Sequence, residues 1–74
     1  MSLAGKPLSP REREVLTLTA EGREMDEIGA FLFLALNTVR THRLNIYRKL
    51  GARNAAHAVH LAYQRGDLAA GGVR

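Results

Sequence analysis

Apolar residues recur along this chain at intervals of three and four, the spacing of one helix face. In "LSPREREVLTLTAEG", residues 8–22, Leu8, Val15, Leu16 and Thr19 share such a face. Ser9 and Glu12 make an S-x-x-E capping box around Pro10, and Gly22 stops the helix. A shorter helix is predicted over Met25–Leu32, with Asp26 and Glu27 in its first turn and Ile28, Phe31 and Leu32 on its apolar face. Gly29 inside it weakens a helix by about 1 kcal/mol relative to alanine, which implies the close approach of another helix.

From Ala30 to Leu36 every residue is apolar. Such a run can form a buried strand, but no second strand is present to pair with it, and a lone strand leaves its backbone groups unsatisfied. The pattern predicts instead the end of the second helix, a tight turn through Phe33, Leu34 and Ala35 that plugs a corner between helices, and the start of a third. That helix runs from Leu36 to Leu50 and ends at Gly51. At about 100° per residue, Val39, Ile46, Leu50 and, at the edge, Tyr47 face inward. Asn37, Thr41, Leu44, Asn45 and Arg48 face outward, flanked by Arg40 and Lys49. Asn54 caps a fourth helix, Ala55–Arg65, closed by Gly66. Its inner face is Ala55, Ala58, Val59 and Ala62; its outer stripe is His57, His60, Leu61 and Gln64. The expected fold is all-α, a four-helix domain containing a helix-turn-helix over residues 8–68. Residues 1–7 are expected to be a disordered linker or a cloning remnant, and residues 69–74 a flexible tail.

Charge sharpens this picture. Residues 1–35 carry four basic and six acidic side chains, whereas residues 36–74 carry seven basic and one acidic. No acid occurs between Glu27 and Asp67. An ordinary solvated helix mixes glutamate with lysine; the outer face of the third helix holds hydrogen-bonding and cationic groups without any acid, as a surface for phosphates and base edges does. Arg40, Arg48, Lys49 and Arg53 are expected to supply most of the attraction.

The segments "LSPREREVL", "EI", "NTVRTH", "IYRKLG" and "RNAAHAV", in that order and at those spacings, resemble the DNA-binding domain of LuxR/GerE-type transcription regulators. The resemblance covers about residues 8–68. It implies a four-helix unit whose third helix reads double-stranded DNA, whose fourth pairs two protomers into a homodimer, and which an N-terminal sensor domain often controls; RNA polymerase is a possible further partner. It also implies that Arg40, Thr41 and Leu44 meet base edges, while Asn37, Thr38, Asn45 and Lys49 lie near phosphates. Glu12 and Glu27 match acidic positions that look structural. The chain departs from the pattern at Ala35, where serine or threonine caps are usual, at Leu36 and Leu44, where polar residues are usual, and at Arg43, where an apolar residue is usual. Arg43 is expected to snorkel outward past Val39 and Ile46. Leu44 is expected to meet a thymine methyl group.

Two other readings share part of the pattern. A sigma-factor region 4 has the early "REREVL…EI…TVR" order, but the later "IYRKLG" and "RN" segments favour LuxR/GerE. A degenerate helix-turn-helix used for protein–protein contact would suit Ala35, Leu36 and Leu44. Catalysis is not expected, because no nucleophile–base set, carboxylate pair or glycine-rich phosphate loop is present. Nor is a metal or other cofactor: His57 and His60 lack cysteine or carboxylate partners, and His42 reads as a packed core-edge histidine. The chain contains no cysteine, and its seven-residue apolar run falls short of the ~20 residues a membrane span needs. The expected location is the cytoplasm.

Overall fold

The computed structural model describes residues 2–68, and the predicted tail 69–74 lies outside them. Four helices follow one another: α1 (Pro10–Ala20), α2 (Met25–Leu32), α3 (Leu36–Leu50) and α4 (Ala55–Arg65). No strand occurs among the described residues. α1 and α3 each pack on all three other helices, whereas α2 and α4 do not touch. The α1–α3 pair is therefore the spine, with α2 and α4 on either side.

Local chemistry explains the boundaries. At α1 the Ser9 hydroxyl accepts from the Glu12 N–H at 3.1 Å, and the Ser9 N–H donates to Glu12 Oε1 at 2.8 Å, so the capping box closes as expected. α2 begins with a comparable bond not anticipated from the sequence, from the Glu24 N–H to Glu27 Oε1 at 2.8 Å. Asn54 caps α4 by accepting from the His57 N–H at 2.9 Å. α3 has Ala35 at its N-cap position and so no side-chain cap.

The core joins Leu8, Val15, Leu16, Leu18, Ile28, Val39, Ile46, Ala58, Ala62 and Leu68. Leu18 is the surprise, since the helical wheel favoured Thr19, which is only half-buried. α1 is covered from two sides, so its buried arc is wider than one stripe, and Leu18 turns toward Phe31 and Leu32. Ala55, expected inside, is half-buried.

The turn between α2 and α3 differs from expectation. Phe33 takes a left-handed conformation, φ 59°, and its side chain is 94% exposed, so it does not plug the corner. Only Leu34 packs against the core. A left-handed residue is the common way to end a helix, and here the Phe33 and Leu34 N–H groups both reach the Gly29 carbonyl. The chain doubles back so tightly that a Cβ built on Gly29 would lie 2.7 Å from the Leu34 carbonyl oxygen. Gly29 thus has the packing reason foreseen for it, but the neighbour is the turn's backbone, with Val39 of α3 behind it.

The lead-in makes specific bonds to the domain. The Gly5 N–H donates to the Lys49 carbonyl at 2.9 Å. Arg65 at the end of α4 donates to the carbonyls of Lys49 and Lys6, at 3.2 and 3.0 Å. One guanidinium fork therefore ties the lead-in and the C-terminal end of α3 to α4.

Candidate nucleic-acid interface

α3 buries Val39 and Ile46 against the spine, and this fixes what it shows to solvent. Asn37, Thr38, Arg40, Thr41, Leu44 and Arg48 are exposed, and Asn45 is half-buried. Seven of the expected site residues therefore share one exposed side of one rigid helix. Arg53 is exposed in the connection to α4.

Several of these side chains are held in place. Arg40 Nη1 donates to Asn37 Oδ1 at 3.3 Å, laying the guanidinium along the first turn. Thr41 Oγ1 donates to the Asn37 carbonyl at 3.0 Å. Arg43 does not project freely past Val39 and Ile46. It is half-buried and donates through Nε, at 3.1 Å, and Nη2 to the Tyr47 hydroxyl one turn on. Arg43 and Tyr47 join Arg40, Leu44 and Met25 of α2 around an open hollow beside the exposed face. Neither was assigned to the site from the sequence, although their i, i+4 spacing was a usable signal.

Lys49 is placed differently from a free phosphate ligand. Its ammonium lies 2.6 Å from Glu12 Oε1, with the two side chains 16% and 7% exposed. Burial by itself pushes the Glu12 carboxyl up. The hydrogen bond from Lys49, the bonds from Ser9 and the Lys49 charge together hold it below its ordinary 4.5. Glu12 is structural, as the resemblance implied, and it already balances the Lys49 charge.

On α4, His60 and Gln64 are exposed and Leu61 is half-buried, leaving an uncharged outer stripe. His57 is drawn partly out of it, because its Nδ1 accepts from the Arg53 N–H at 3.1 Å. Tyr63, 38% exposed, flanks the stripe and was not foreseen there.

The missing cap at Ala35 has a measurable cost. Ala35→Ser should raise stability by about 1 kcal/mol, because a hydroxyl at that position accepts from the first free N–H groups of α3. Thermal unfolding checks this, and an unchanged Tm would contradict it.

Comparison with known proteins agrees with this architecture. Residues 6–62 match the family described as "Bacterial regulatory proteins, luxR family". The chain is 46% identical over 55 residues to the transcriptional activator protein BjaR1 of Bradyrhizobium diazoefficiens, covering 74% of this chain and 23% of that protein. It is 41% identical over 63 residues to the response regulator RamR of Streptomyces coelicolor, covering 85% and 31%. The crystal structure of the response regulator ChrA, from a heme-sensing two-component system, superposes with a TM-score of 0.81 at 36% identity, over 85% of this chain and 31% of that one. The chain thus spans less than half the length of these relatives. The family match covers most of the chain and includes all of α1, α2 and α3. This protein belongs to the luxR family of bacterial regulatory proteins, as a helix-turn-helix domain of the kind its transcription-regulating relatives carry.

Proposed function

We propose that this domain binds double-stranded DNA with sequence preference, as the effector part of a transcription regulator, by laying α3 in the major groove. The observation that carries the reading is the acid-free exposed face of α3, with Arg40 and Arg48 on it and Arg53 beside it. In this reading Arg40, Thr41 and Leu44 meet base edges, and Asn37, Thr38, Asn45, Arg48 and Arg53 lie toward the flanking phosphates, with Lys49 at the margin beside Glu12. Phosphate contacts release counterions, so affinity for any duplex should fall steeply with salt. Arg48→Ala should weaken all sequences alike and reduce the magnitude of the salt slope by about one unit. Fluorescence titration at several salt concentrations measures this; a slope unchanged by the substitution would remove Arg48 from the interface.

The α4 stripe is proposed as the pairing surface of a homodimer on two half-sites. Its area is about a few hundred Å2 per partner, against the ~800 Å2 of a standard interface, so pairing should be weak off DNA and cooperative on it. Leu61→Asp should abolish cooperative binding to a duplex with two half-sites and leave single-site binding nearly intact. Preserved cooperativity would place the interface elsewhere. Control by a further domain, contact with RNA polymerase and a cytoplasmic location belong to the same proposal. No helix among the described residues is long and apolar enough to cross a membrane.

One observation favours protein contact as a second reading. Phe31 and Phe33 are 66% and 94% exposed near the turn. Absence of salt-dependent duplex binding would favour it.

A further inference from the structure

We infer that α3 reads the C5-methyl group of a pyrimidine beside a guanine, through an apolar patch made by Thr41 and Leu44 next to Arg40. This rests on the DNA-binding reading above and deepens it. Leu44 is 49% exposed in the middle of the proposed reading face, where it offers neither donor nor acceptor. Thr41 stands one turn before it and has committed its hydroxyl proton to the Asn37 carbonyl. Thr41 and Leu44 are both exposed, three positions apart on the same side of α3. Leu44 therefore places hydrocarbon at the centre of the face, although charges and amides surround it.

In the major groove the only apolar feature of an unmodified base pair is the thymine C5-methyl. A cytosine methylated at C5 carries the same group at the same place, and a hydrocarbon patch cannot distinguish the O4 of one from the N4 of the other. Arg40 precedes Leu44 by one turn, with Cβ atoms about 5–6 Å apart, a distance that spans adjacent base pairs. Asn37 orients its guanidinium by one nitrogen, leaving further N–H groups for the O6 and N7 of a guanine. A methylated pyrimidine beside a guanine is the step this geometry fits.

The test uses the 74-residue chain and a duplex enriched from a random pool, with each half-site pyrimidine varied singly among thymine, uracil, cytosine and 5-methylcytosine, opposite its complementary purine. At the contacted position, loss of the methyl from thymine should weaken binding about fourfold, the equivalent of one buried carbon. Methylation of cytosine there should strengthen binding by a similar factor. Leu44→Ala should erase both differences while the salt slope stays unchanged; Thr41→Ser, which keeps the hydroxyl, should reduce them. A thymine effect without a 5-methylcytosine effect overturns the inference, because a hydrocarbon patch meets the same methyl group in both. Salt-dependent binding that ignores every methyl overturns this inference and leaves the DNA-binding reading standing. No duplex binding at any salt overturns both.

Discussion

Lys49→Met should destabilise the domain by about 2 kcal/mol near neutral pH, between the scales for removing one partner of an exposed and of a fully buried ion pair. The substitution keeps the aliphatic stem but deletes the ammonium 2.6 Å from Glu12, whose residue is only 5% exposed. A net cost of that size is a large fraction of the stability of a small domain. The pH dependence carries the same signature. The folded Glu12 carboxyl sits below its ordinary 4.5, so its stabilisation is present above that value and is lost as pH falls through the lower folded one. Wild-type stability should therefore decline on acidification below about pH 4.5. In Lys49→Met, burial is no longer outweighed to the same extent, and this decline should shrink. The double substitution Glu12→Gln with Lys49→Met should recover part of the loss, because no carboxylate remains uncompensated. Urea unfolding at several pH values measures all three, and a Lys49→Met protein as stable as wild type would contradict the account.

Gly29→Ala is the second large effect, and its sign is the informative part. Helix propensity alone predicts a gain of about 1 kcal/mol from this substitution. The structure predicts a loss, because the new Cβ would meet the Leu34 carbonyl at 2.7 Å and the obstacle is backbone rather than a flexible side chain. Overpacking of this kind costs about 1–3 kcal/mol, enough to outweigh the propensity gain. Each net kcal/mol lost lowers Tm by about 4–8 °C in a domain of this size. Relief of the contact shifts the turn that positions α3 on α2, so duplex affinity should fall as well. A raised Tm would show that the turn has room to move.

These two effects also mark what the sequence could and could not disclose. The helix extents were legible because caps and stops are local: Ser9 and Glu12, Gly51, Asn54 and Gly66 act within a few residues of themselves. The outward face of α3 was legible for a similar reason, since one helical period and the absence of acid define it. The bond between Lys49 and Glu12 was not legible, because the partner lies 37 positions earlier in the chain and no single-helix projection brings the two together. Leu18 was missed since a wheel assumes one buried side, whereas α1 is covered on two. Phe33 was expected inside because of its hydrophobicity, but the left-handed turn that ends α2 directs its ring to solvent. The bonds of Gly5 and Lys6 depend on a backbone path that composition does not encode.

The central claim is that α3 reads DNA sequence, and selection from a randomised duplex pool tests it most directly. Bound fragments from successive rounds should converge on two related half-sites about one helical turn apart, and Arg40→Ala should relax preference at one position of each. A pool that stays random after selection, with binding that depends on salt alone, would contradict sequence reading by this helix.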